Sequence, residues 1–320
     1  MNTNALLLAI CAGLISAVVF ASATTGPMLL RVVLFFLTPL SLYLAGLGLG
    51  PAYAAIAAAT ATLSVLLVTN PAAATLYGLS EAVPAVIMSR LALLSRGDDE
   101  AREWYPVGRM IAAAALLSGA FAGLMLFAMS GGDIETLGKT VRTFVAAFVK
   151  NELTQLPGAP AVTEPQIDEI AKTTLTMLPW ALAILSMLTI LINLWLAGRI
   201  TVASGRLTRP WPDLAMTILP QGLALAFVAM MAGSFVGGMP GLAAGGFAAA
   251  FAFAFLLIGL AVVHAVTRGS PWRSFVLAVL YTAVFVFFAG TSLALTLLGL
   301  AEGAFGFRFR QGPHSPNQSN

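Results

Sequence analysis

Few residues in this chain have the type and setting to do chemistry, and the most promising of them lie inside apolar stretches. Glu81 comes first, with Tyr77 one helical turn before it and Pro84 about one turn after. An ionised carboxylate at membrane depth costs roughly 2.5–3.5 kcal/mol on insertion scales. It must therefore face a bundle interior or a wet cavity, pair with a cation, or keep its proton. Arg31 is the one basic residue embedded in a nearby apolar stretch, so an Arg31–Glu81 pair would satisfy both groups structurally. Alternatively, a helix opened locally beside Pro84 would let Glu81 serve a cation or a cationic solute. Asn193 and Gln221 are isolated amides in apolar runs, suited to gluing helices together or to touching a substrate. Glu81, Tyr77, Arg31, Asn193 and Gln221 are the candidate substrate-binding residues.

The patterns of conventional catalysis are missing from the sequence. There is no Gly-rich phosphate loop, no nucleophile elbow and no His-Glu-x-x-His run. His264 and His314 lie far apart and Cys11 is the single cysteine, which leaves no metal-ligand spacing and no internal disulfide. Asp98, Asp99 and Glu100 sit in an arginine-bearing connection and read as a solvated charge run. The expectation is a protein that is not an enzyme and holds no metal and no cofactor. A net charge of +3 over 320 residues gives no reason to expect a nucleic-acid partner.

Composition says what must position these groups. With 59% hydrophobic and only 9% charged residues, the chain cannot coat a water-soluble particle, and the lipid bilayer is its expected surrounding. Nine apolar stretches approach the 20 or so residues that span a bilayer core: 5–22, 28–47, 50–69, 72–94, 109–130, 177–198, 214–236, 243–266 and 274–300. Turn residues separate them, as in Thr25-Gly26-Pro27, Asn70-Pro71 and Gly237-Gly238-Met239-Pro240-Gly241. The stretch 72–94, with Glu81 and Pro84, could be re-entrant or broken. The expected fold class is an all-α polytopic membrane protein, a bundle of about nine transmembrane helices with one external amphipathic insertion. Its divisions are an N-terminal bundle over 1–130, the insertion over 131–176, a C-terminal bundle over 177–300 and a polar tail over 301–320.

Three connections carry nine of the sixteen basic residues: Arg90, Arg96, Arg102 and Arg109; Arg199, Arg206 and Arg209; Arg268 and Arg273. Alternation across nine spans puts all three on one side. By the positive-inside rule that side is cytoplasmic, which predicts a bacterial cytoplasmic (inner) membrane protein with its N-terminus inside and its tail outside. Arg31, Arg308 and Arg310 run against this pattern.

The insertion holds four Lys+Arg and six Asp+Glu. Ile134, Leu137, Val141, Phe144, Val145, Phe148 and Leu153 fall on one helical face, with Glu135, Lys139, Arg142 and Lys150 opposite. After Pro157-Gly-Ala-Pro160, Thr163 and Gln166 form a capping-box signature with Pro165 in the first turn. Such a pair of helices would cap the bundle, lie at the interface, or cover a cavity.

Small residues recur every four positions on the first span, from Ala5 through Ala9, Gly13 and Ala17 to Ala21, and again at Gly246, Ala250 and Ala254. Each ridge admits a close helix, either within the bundle or from a partner.

Pro39-Leu-Ser-Leu-Tyr-Leu-Ala-Gly-Leu-Gly-Leu-Gly50 and the stretch from Glu81 to Arg96 resemble the YybS-like integral membrane proteins of bacteria, over about residues 1–130. That family is in turn similar to the substrate-binding (S) components of energy-coupling-factor transporters, six-helix proteins that capture vitamins. The resemblance implies that Ala9, Gly13 and Ala17 contact a coupling transmembrane subunit, which works with ATPases. Two functions stay open: a substrate-binding or permease-type component for uptake of a small solute, or a non-transporting membrane scaffold or envelope-assembly protein.

Overall fold

The protein is described by a computed structural model covering residues 2–23, 27–98, 101–153, 162–306 and 308. It is an all-α polytopic membrane protein. Among the described residues, eight helical runs are long and apolar enough to cross a bilayer. They are α1 (Thr3–Ser22), α2–α3 (Met28–Leu37 and Leu40–Leu49), α4 (Pro51–Val68), α5–α6 (Pro71–Tyr77 and Val83–Ala92), α7 (Val107–Ser130), α9 (Glu164–Ala203), α11 (Gly238–Val266) and α13 (Phe288–Phe305). Leu7, Ile15, Leu67 and Phe285 are exposed on these elements or their neighbours, as side chains facing lipid should be.

Two of the nine expected spans come out differently. The 214–236 stretch yields only the 12-residue α10 (Gly222–Gly233), about 18 Å long and too short to cross. Pro210, Pro212 and Pro220 keep 207–221 out of α-helical geometry, leaving one 3-10 turn at Leu214–Met216. The 274–300 stretch breaks at Phe287 into α12 (Arg273–Val286) and α13. Two other expectations also shift. The 28–47 span is interrupted at Thr38-Pro39, because Pro39 offers no N–H to the preceding turn. The 72–94 run, by contrast, is helical throughout, with a single π-turn over Gly78–Ala82.

Buried residues from Ala9 to Phe255, drawn from α1 through α11, belong to one apolar core. Gly46 lies against Ser89 and Ala54, and Gly48 against Thr201. The ends of α3, α6 and α9 therefore meet at one end of the bundle. The arginine-bearing connections converge there too. Arg209 Nη1 donates to the Ala92 carbonyl at 3.2 Å, Arg268 pairs with Asp213, and the Arg199 guanidinium lies 5.2 Å from the Trp211 ring. A two-residue hairpin, β1 (Ser95–Arg96) with β2 (Glu103–Trp104), closes the α6–α7 connection at this end.

The insertion forms α8 (Ile134–Phe148), capped by Asp133, packed on the N-terminal extension of α9. Leu137, Val141, Val145 and Val149 bury against Leu126, Ile167 and Ala171. Arg142 binds Glu164 and Asp168 at 2.7 and 2.6 Å, which raises its already high pKa through those hydrogen bonds. The Thr163–Gln166 capping box is present. Ile134, Phe144 and Phe148, on the same apolar face by spacing, stay exposed, because the contact with α9 takes only the narrow Leu137–Val141–Val145 stripe. Pro157 to Pro160 and Gln311 to Asn320 lie outside the described residues.

Candidate functional site

Glu81 sits in the π-turn because of Pro84. Proline has no N–H for the Ser80 carbonyl, and its ring would clash with that carbonyl, so the backbone widens and Val83 N–H bonds to the Gly78 carbonyl instead. The turn carries Glu81 into the protein, where it is 2% exposed. Its side chain bonds with Ser80, and Tyr43 and Tyr77 lie within its electrostatic reach. Tyr77 shares a 2.7 Å hydrogen bond with Ser16 and stacks edge-on against Phe20 at 5.2 Å. Ser16 Oγ in turn donates to the Thr38 carbonyl at 2.6 Å, closing the break before Pro39. The polar atoms Tyr43 Oη, Glu81 Oε2 and Ser89 Oγ have no hydrogen-bond partner among the described residues.

The conceived Arg31–Glu81 pair does not form. No ion pair reaches Glu81 among the described residues, and Arg31 is half-exposed on α2, outside the buried cluster. Tyr77 therefore joins Glu81 and Arg31 does not. Asn193 belongs to neither: its Nδ2 donates to the carbonyls of Phe36 at 2.6 Å and Thr189 at 2.8 Å. It is helix glue at the α2–α3 break. Gln221 is exposed at the start of α10. A groove of about 540 Å³ between α4 and α5–α6, lined by Ala58, Thr62, Gly78 and Ala82, passes beside Glu81 without including it.

The small-residue ridge of α1 is taken up inside the chain. Ala9, Gly13 and Ala17 are buried, and a Cβ added at Gly13 would come within 2.8 Å of Thr60 Cβ and 3.1 Å of the Ala61 nitrogen on α4. In the structure α4 occupies the close-approach surface that the resemblance assigned to a partner helix. Gly246 likewise packs on Ala122 of α7.

Sequence reasoning missed the arrangement around α11. Gly233 of α10 packs on Ala244, and Phe227 packs on Phe255, so α10 covers the first half of α11. Gly259 and Gly299 let α13 cover the second half, since a Cβ on Gly299 would run into the Phe255 carbonyl. Thr296 Oγ1 also donates to the Ala252 carbonyl at 3.3 Å. The end of α13 thus meets the chain leading into α10 partway along α11. There Arg308 binds Glu302 at 2.9 Å, with both side chains under 5% exposed, and donates to the carbonyls of Ala215 and Thr217. Arg308, within the stretch expected as polar tail, is buried against this segment.

Between α7, α9, α11 and the 207–217 segment lies a partly open cavity of about 1030 Å³. This is at the upper end of the range for small-molecule sites. Leu191, Trp195, Phe253 and Leu257 form apolar wall, while Arg209, Asp213, Arg268, Arg273, His264 and Tyr281 supply the polar lining. His264 Nε2 lies 2.9 Å from Tyr281 Oη, and Arg273 Nη1 donates to the His264 carbonyl at 2.9 Å. Arg268 holds Asp213 in a two-pronged bond of 2.8 and 2.9 Å, which keeps that carboxyl below its usual pKa range. Burial lowers the pKa of Arg209. No candidate residue from the sequence lines this cavity. A usable signal existed: His264, the arginines of two connections and Trp195 recur at one end of neighbouring apolar helices.

No curated protein and no solved structure matches the chain. A family model described as "Predicted membrane protein (DUF2232)" matches residues 14–302. The match agrees with the membrane-family resemblance of the N-terminal stretch and extends it through α13. The chain belongs to the DUF2232 family of predicted membrane proteins.

Proposed function

We propose that this integral membrane protein is a binding or permease-type component that takes a small solute into the cavity between α7, α9 and α11. The observation that carries the reading is the cavity itself: apolar walls with convergent polar groups at one end, which is how small-molecule sites are built. Two features add support. Apart from one 3-10 turn at Leu214–Met216, the 207–221 segment enters the bundle as irregular backbone beside the cavity and then starts a half-length helix. Irregular backbone at membrane depth is tolerated where it is buried in protein or lines a cavity, and transporters place their sites at such breaks. The gathered arginines, read by the positive-inside rule, support an orientation with the cavity mouth and the N-terminus toward the cytoplasm of a bacterial cell. The polar lining has no activated nucleophile and no paired carboxylates, so the reading is binding and passage instead of catalysis.

A scaffold role in envelope assembly is the second reading, and the exposed Phe144 and Ile134 on α8 favour it. The deciding experiment fills the cavity. Ala261→Trp adds a ring to the lining, and small molecules extracted from purified wild type and variant are compared by mass spectrometry. A solute retained by wild type and lost from a folded Ala261→Trp supports binding. Equal content in both proteins, with α8 variants losing an envelope partner, supports the scaffold.

A further inference from the structure

Resting on that reading of the cavity, we infer that its ligand is an amphiphile with a phosphate head, the head held by Arg268 and Arg273 and the alkyl portion laid along Leu191, Trp195, Phe253 and Leu257. Charge comes first. The lining carries three guanidinium groups, Arg209, Arg268 and Arg273, against the single carboxylate of Asp213. Two positive charges remain. A phosphate monoester bears about −1.5 to −2 at neutral pH and matches that excess better than a single carboxylate does. Arginine is also the side chain whose planar donor fork suits phosphate oxygens.

Donors remain for such a head. Arg273 directs Nη1 and Nη2 to His264, and Arg268 directs both Nη atoms to Asp213. The Nε donors of Arg268 and Arg273, and the Nε and Nη2 of Arg209, make no hydrogen bond among the described residues. Tyr281 Oη, fixed by His264, stands in the same lining. The bonds to His264 hold the Arg273 guanidinium in place, so a phosphate meets a partly prepared site.

Shape and polarity come second. A hydrophilic anion alone would not call for a cavity of about 1030 Å³ walled by leucines, Trp195 and Phe253. An alkyl chain would. Cationic groups at one end of an apolar chamber sort a molecule by both ends at once.

The test uses 11-bromoundecyl phosphate, whose bromine quenches nearby indoles, added to the full-length protein in nanodiscs. Trp195 and Trp211 line the cavity, and Trp195→Phe with Trp211→Phe identifies their share of the signal. Saturable quenching is expected, weakened roughly tenfold or more in Arg273→Gln, the scale of one charge-assisted contact. Asp213→Asn should act in the opposite direction, tightening the probe several-fold by removing the lining carboxylate and releasing Arg268. A misfolded variant would only weaken binding, so this sign keeps the result interpretable. If inorganic phosphate relieves the quenching as potently as unbrominated undecyl phosphate does, the alkyl chain contributes nothing, and the site belongs to a free phosphate, which overturns the amphiphile. If 11-bromoundecanol quenches as tightly as the phosphate, the head-group assignment fails while the cavity reading stands. If neither probe quenches saturably, both fail.

Discussion

Filling the α1–α4 contact gives a direct measure of where the small-residue ridge points. Gly13→Leu adds four carbons where the first would already sit within 2.8 Å of Thr60 Cβ and 3.1 Å of the Ala61 nitrogen. The Ala61 nitrogen and the Ala57 carbonyl are backbone, so relief requires α1 and α4 to separate along their length. Overpacking a fitted contact costs about 1–3 kcal/mol, and a contact made of backbone belongs at the upper end. Gly13→Ala should fall between wild type and Gly13→Leu. Leu7→Phe and Val18→Phe, at positions 56% and 65% exposed, should leave stability unchanged. The assay is thermal unfolding in detergent, followed by loss of the monodisperse peak. Wild-type melting of Gly13→Leu together with loss of a co-purifying membrane subunit would refute the internal contact and restore the partner-helix reading.

Three further outcomes follow from named contacts. Arg308→Gln strands Glu302 in a buried setting and should cost about 3–5 kcal/mol, most of it recovered in the double variant with Glu302→Gln, as a double-mutant cycle in detergent would show. Glu81→Gln and Arg31→Gln should be additive within about 0.5 kcal/mol, because the two side chains do not pair; a coupling well above that would contradict the geometry. The Asp213–Arg268 bond depresses the Asp213 carboxyl. Its contribution is therefore fully present above the unfolded pKa of about 3.9 and lost as pH falls through the lower folded value. Wild type should lose a small increment of thermal stability at acid pH that Asp213→Asn does not lose, and raised salt should shrink the difference.

The sequence discloses most of the bundle for a simple reason: a run of about 20 apolar residues has few other solutions, and positions 5–22, 109–130 and 243–266 each became a long helix. The α8–α9 pair was legible because Asp133 and Thr163 cap where charged and apolar faces begin. The failures have a common physical source. Hydropathy does not distinguish a stretch that crosses from one that enters and unwinds, so 214–236 and 274–300 read as spans although Pro220 and Phe287 interrupt them. Ridges of small residues say that a helix comes close and not which helix. Glu302 and Arg308, near the end of the sequence, read as the edge of a polar tail. Their partners, the Ala215 and Thr217 carbonyls, lie some ninety residues away, in and just after a single 3-10 turn that no α-helix continues. Glu81 announced itself as an isolated carboxylate, but its neighbour turned out to be Ser80 and two tyrosines instead of Arg31.

The central claim is that the space between α7, α9 and α11 is a ligand chamber. Electron cryomicroscopy of the protein purified into nanodiscs from its native membrane tests it most directly. The map should show α10 as a half-length helix, the 207–217 segment folded inward, and elongated non-protein density along Trp195 and Leu257 ending at Arg268 and Arg273. A map in which 214–236 forms one continuous crossing helix and side chains fill the space would contradict it.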